Sequence, residues 1–200
     1  MITVEIRGLE RTRARIERFW GRLKRVLKQV VRRQSRALTQ YVKTRHLTGG
    51  TTSDRLAVRS GHLRRSTKPK RVSERDGQIV GGVEFGARYA SVHVGPRGKR
   101  TTIRPKRAQY LAIPLAAART AAGVARGGPR DYPDSFVVRT KAGNLLIMGH
   151  QTGSKGVVPL FVLKRQVVVP ARVHPEDVEE VFRPRILKEV RTELERLIGG

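Results

Sequence analysis

Residues 9–46 read LERTRARIERFWGRLKRVLKQVVRRQSRALTQYVKTRH, and their spacing decides the fold class. Ile16, Phe19, Trp20, Leu23, Val26, Leu27, Val30, Val31, Ala37, Leu38, Tyr41 and Val42 recur every three or four residues. That is the period of one helix face, with Arg and Lys filling the remaining positions. At 1.5 Å per residue the segment predicts a rod of roughly 50–55 Å. A rod of that length outruns the core of its own domain and asks for neighbours. Its basic face suits either a phosphate backbone or plain solvation.

Ahead of the helix, Met1–Arg7 alternates Ile2, Val4 and Ile6, the pattern of a short strand, and Gly8 punctuates it. Behind it, TGGTTS (48–53) predicts a break, and Ser60–Ser66 predicts a short helical turn with Ser60 as its cap. Strands are expected at Thr67–Val72 and Gln78–Phe85 around a turn at Asp76–Gly77. Arg88–Val94 suits strand or helix equally. Thr101–Pro105 and Tyr110–Leu115 read as another strand pair, and residues 116–135 as a loop insertion without periodicity. Phe136–Thr140 and Leu145–Gln151 flank KAGN (141–144), a hairpin signal with Gly and Asn available for positive φ. Residues 152–156 form a further loop, and Leu160–Val169 reads as one buried strand closed by Pro170. Residues 175–198 end the chain as a helix: Pro175 and four carboxylates crowd its first turns, where the helix dipole favours negative charge. Pro184 is expected to kink or split it. Strands clustered between two helices imply an α+β fold, with the long N-terminal helix packed on an antiparallel sheet of short strands. The expectation is one domain over residues 1–200, with a β-rich body at 56–170.

The charge is extreme. The 200 residues carry 43 Lys+Arg against 16 Asp+Glu, a net charge of +27. Residues 1–75 hold 22 basic and 5 acidic side chains, whereas residues 176–200 hold 5 and 7. Such a chain repels itself unless polyanions or acidic protein surfaces meet it. With 38% apolar residues it can still build a core, which excludes a disordered basic tail for most of the chain. No cysteine is present, so disulfides and thiolate chemistry are excluded. No apolar run approaches the ~18 residues that span a bilayer. The N-terminus lacks a signal-peptide core, so a soluble, unsecreted protein is expected.

Catalytic and metal-binding patterns are scarce. His46, His62, His93, His150 and His174 are scattered and imply no metal site. Asp131 and Asp134 flank a Pro-bounded turn, where Asp favours local hydrogen bonding over paired-carboxylate chemistry. GHQTGSKG (149–156) departs from a phosphate loop by one residue, with Ser154 where Lys is required. No catalytic residue, metal or cofactor is assigned, and the chain is not expected to be an enzyme. No zinc finger, RRM or KH pattern is present either. Non-specific phosphate contact remains open.

Three segments carry a resemblance. LAVRSGHLRRS (56–66) is similar to a "Leu, two residues, Ser/Thr-Gly-x-Leu-Arg-x-Ser" signature following a first helix. GVEFGARYASVHVG (82–95) contains Tyr-Ala-x-x-His-x-Gly and is followed by TTIRPKRAQYLAIPL (101–115). LKRQVVVPARVHP (163–175) precedes the last helix, with Val173–His174 where a Pro and an aromatic are commoner. In this order they resemble tailed-bacteriophage neck, minor-tail and tail-completion (virion-morphogenesis) proteins. The resemblance covers about half of the chain and implies a non-enzymatic virion protein. It implies a ring, six-fold to match a tail tube, at the head–tail junction or head-proximal end of the tail. Implied partners are copies of itself, the adjoining connector and tail-tube proteins, and packaged DNA through phosphate contacts. The implied location is the virion, and the host cytoplasm during assembly. The alternative is a non-specific DNA-binding protein using the basic N-terminal helix. Candidate partner or DNA contacts are Arg22, Arg25, Lys28, Arg32, Arg33, Arg36, Arg64, Arg65 and Arg172. Ser60, Gly61 and Leu63 form the turn after the long helix, Tyr89 and His93 are expected to pack locally, and Pro170–Ala171 lead Arg172 into the last helix.

Overall fold

The computed structural model describes residues 9–49, 54–150 and 156–199, so the expected strand at 1–7 lies outside the described residues. The fold is α+β, with a long N-terminal helix, antiparallel sheets of short strands and a C-terminal helix. Two compact units are present: one of residues 1–45, 67–86 and 175–200, the other of residues 46–66 and 87–174.

The first unit is built on α1 (Leu9–Arg45). The strands β1 (Thr67–Arg75) and β2 (Gln78–Phe85) and the helix α4 (Pro175–Ile198) pack against it. The buried side chains of α1 are Leu23, Val30 and Val42, on the face that the apolar spacing picks out, and Ser35 and Thr39, beyond one edge of it. Among the described side chains of this helix before Leu23 none is buried: Ile16 is 51% exposed and Trp20 55%. The β1–β2 hairpin turns at Asp76–Gly77, both at positive φ (50° and 75°), as a two-residue turn matched to strand twist requires. A bulge follows Lys70, where Arg71 and Val72 stand against the single residue Gly81. There the hairpin lies close against the helix. A Cβ on Gly81 would lie 2.5 Å from both Val31 Cγ1 and Ser35 Oγ. Ser35 Oγ donates to Val31 O (2.7 Å) and accepts from Gly82 N–H (2.9 Å). On the other side Tyr41 meets the buried Phe182 edge-on at 5.5 Å. Pro184 does not split α4, which runs unbroken from Pro175 to Ile198. Pro184 is exposed, so water can serve the hydrogen-bonding group that its missing N–H leaves over.

The second unit holds α2 (His62–Ser66), α3 (Ala90–His93) and six strands. These are β3 (Arg100–Ile103), β4 (Leu111–Pro114), β5 (Phe136–Arg139), β6 (Leu145–His150), β7 (Val157–Lys164) and β8 (Val167–Pro170). Arg88–Val94, open between strand and helix in the sequence, contains the single helical turn α3. The expected strand at 160–169 is two: β7 joins the sheet β4-β7-β6-β5, and β8 pairs with β3. The interruption has a cause in the register. Leu111 pairs with Lys164 and Ile103 with Val167, so seven residues on one side face only Arg165 and Gln166 on the other. That mismatch breaks the ladder. For the same reason β3 and β4 form where the sequence predicts strands but do not pair with each other. The insertion at 116–135 contains two short 3₁₀ turns, Ala116–Ala118 and Pro129–Asp131. Its Ala118 is fully buried and joins Ile147, Leu160 and Phe161 in the sheet's core, with Tyr132 edge-on to Phe161 at 5.6 Å.

Gly81→Ala is expected to destabilise the protein by about 1–3 kcal/mol through the forced contact with Val31 and Ser35. Ser35→Ala should cost a similar amount by orphaning the Gly82 N–H. Urea unfolding of both variants checks this, and neither should alter secondary structure.

Candidate functional site

Within the second unit, the three sequence segments that carry the resemblance converge on one cavity of about 830 Å³. Its first wall is the stretch from Leu56 to Arg64. There Leu56 N–H donates to His46 O (2.8 Å), and the buried Leu63 anchors α2. Gly61 sits at φ +69°, which a side chain rarely adopts, and Arg65 N–H reaches back to its carbonyl (2.9 Å). The expected Ser60 cap is weak: His62 N–H approaches Ser60 Oγ only at 3.4 Å.

The second and third segments are clipped together. Arg172 N–H and Val173 N–H both donate to His93 O (2.9 and 3.0 Å), and Gly95 N–H donates to Val173 O (3.1 Å). Lys99 Nζ donates to Ser91 O and Val94 O (2.8 Å each), closing the end of α3. A Cβ on Gly95 would collide with that lysine side chain. His174 Nδ1 stands 3.0 Å from Gly95 O. Through this clip α3 presents Tyr89 and His93 to the cavity, and the third segment presents Pro170 and Arg172. Ala171 lies buried behind them. Tyr89 rests between His62 and His93, with both ring centroids at 6.3 Å, yet it is 44% exposed.

The electrostatics are one-sided. Arg59, Arg64, Arg119 and Arg172 line the cavity together with His62 and His93, and no carboxylate does. Burial, then the positive charges of Arg172 and Arg59, hold the His93 imidazole below its ordinary range. His93 Nδ1 and Arg119 Nε are buried without a hydrogen-bond partner. The sequence pointed to Arg64, Arg172, Tyr89 and His93 but not to Arg59 or Arg119. Arg119 comes from the insertion, whose lack of periodicity gave no signal. Among the described residues no group of three or more His, Cys, Asp or Glu gathers to hold a metal ion.

The other candidate residues lie in the first unit, on α1. Arg22, Arg25, Arg32 and Arg36 are exposed. At 100° per residue they fall in one arc of about 100° with Arg11, Arg15 and Arg18, a stripe roughly 38 Å long opposite the apolar face. Two candidates are engaged within the unit instead. Lys28 Nζ meets Glu74 Oε2 at 2.8 Å, and Lys24 holds the other oxygen at 2.7 Å. The two ammonium groups hold the Glu74 carboxyl down at about 2. Arg33 bridges Glu189 (2.6 Å) and Glu193 (2.8 Å) of α4, bonds that raise its pKa further. Arg65 is exposed beside the cavity wall but does not line it.

No family model, curated protein or solved structure matches this chain.

The His93 titration midpoint, followed by NMR, is expected below 6.5, with Arg172→Gln moving it upward but leaving it low, because burial is the larger cause. Unfolded, this histidine binds a proton near 6.5 that the native state refuses. Its contribution to stability is therefore complete above that pH and is lost as pH falls through the native midpoint.

Proposed function

We propose that this chain is a structural protein of a tailed-bacteriophage particle. It assembles as a six-fold ring at the head–tail junction or the head-proximal end of the tail, as a neck, tail-completion or tail-terminating component. It works in the virion, is assembled in the host cytoplasm, and catalyses no reaction. The observation that carries the reading is the outer edge of β5, which no strand covers among the described residues. This strand ends its sheet, and Phe136 (51%), Val137 (60%) and Val138 (37%) are exposed on both of its faces. A lone soluble protein rarely leaves such an edge open, and a closed ring covers it with the next copy. The three family-like segments support the same reading, since they meet at a single cavity.

Purified protein is expected to give closed particles of six copies by native mass spectrometry and to cap tail tubes in negative stain. Val137→Lys should leave a folded single copy. A monomer at every concentration that never engages tubes would refute the ring.

A second reading has its own support. The arginine stripe of α1 faces solvent with no carboxylate partner among the described residues, as a non-specific DNA contact would require. On this reading log K for duplex DNA falls steeply with log salt, and replacing Arg22, Arg25, Arg32 and Arg36 by Ala makes the slope shallower by roughly 3–4. An unchanged slope removes the helix from the DNA interface.

A further inference from the structure

The cavity of the second unit is lined by arginines with no carboxylate among them. That unit carries 20 basic against 3 acidic side chains, net +17, so little within it can neutralise the guanidinium groups of Arg59, Arg119 and Arg172. An anion entering the cavity supplies the counter-charge. Its walls are mostly aliphatic, with Leu111, Ile113, Val167 and Val169 among them, so the anion must sit on an apolar body. A phosphodiester backbone lacks that body; a carboxylate between aliphatic side chains has it. At about 830 Å³ the cavity is of ordinary ligand size, room for a few side chains. The bordering strands also select a polypeptide. β3 and β8 form a two-stranded ladder and β4 ends its sheet, so among the described residues each keeps one edge without a strand partner. An extended segment finds main-chain hydrogen bonds at such edges. Ile103 (36%) and Val168 (50%), on the same strands, are left exposed.

We propose that this cavity binds an acidic, aliphatic-rich segment of another polypeptide, its carboxylate among Arg59, Arg119 and Arg172 and its apolar side chains against Leu111, Ile113 and Val167. The site goes beyond the ring and does not depend on it: a single copy contains every residue named.

Fluorescence anisotropy near physiological salt tests it, using the whole chain and a labelled pentapeptide with one glutamate between aliphatic residues (VLEVL). The glutamate peptide is expected to bind about tenfold or more tighter than its glutamine counterpart, the size of one charge-assisted hydrogen bond. Arg119→Gln and Arg172→Gln should each weaken it by a similar factor, while Arg139→Gln, a control of equal charge away from the cavity, should change it less than twofold. Arg59 is exposed, so Arg59→Glu tests the site without disturbing the fold. It should weaken the glutamate peptide and strengthen the lysine version. Equal binding of glutamate and glutamine peptides, or equal effects of Arg139→Gln and the cavity variants, would overturn the proposal, because mere charge attraction would then suffice. Tighter binding of decanoate than of the peptide would overturn it too, making a free aliphatic acid the occupant. Ring formation is read separately by mass, so failure of either idea is distinguishable from failure of the other.

Discussion

Sixteen carboxylates must temper forty-three basic side chains, and where they stand governs the rest of the structure. Thirteen belong to the first unit. Three of them attach neighbouring elements to α1: Glu74 ties β1 to it through Lys24 and Lys28, and Glu189 and Glu193 tie α4 to it through Arg33. These pairs are partly exposed, so each adds little stability alone. Their effect is on pairing. They neutralise the flanks of the helix beside its apolar face and leave the opposite arginine stripe unopposed. The second unit has three acidic side chains, and none of them lines its cavity. The chain thus holds itself together where its acids are and offers its positive charge where they are not.

The parts that the sequence announced are those fixed by local geometry. The run from Ile16 to Val42 keeps one period over many turns, and the observed α1 ends within one residue of the predicted end. Asp76–Gly77 in one loop and Gly143 in the other supply positive φ, and both hairpins form there. Between Leu160 and Val169, by contrast, the composition says only that the backbone is extended. It does not say that seven residues opposite Arg165–Gln166 will shear the ladder in two, because that depends on a strand fifty residues away. Arg88–Val94 suits strand or helix equally for a related reason. Its helical turn is fixed by Lys99 and by the main chain of Arg172 and Val173, not by its own pattern.

The candidate site was legible in part. Gly61, Tyr89, His93 and Arg172 stood in segments that the resemblance singled out, and the structure brings them to one cavity. What spacing could not reveal is the counterpart from the insertion. Arg119 follows the buried Ala118, which packs into the sheet's core and so fixes where the next residue starts. Lys28 and Arg33 were indistinguishable in the sequence from their exposed neighbours. Only the placement of Glu74, Glu189 and Glu193 separates a helix arginine or lysine already engaged from one still available.

The chain has a single tryptophan, and it stands on the bare first third of α1 rather than in any core. Indole emission from this protein therefore says nearly nothing about whether the interior is intact. It is instead a built-in optical sensor of whatever comes to lie along that end of the helix, moving to the blue when a neighbour displaces the water around the ring.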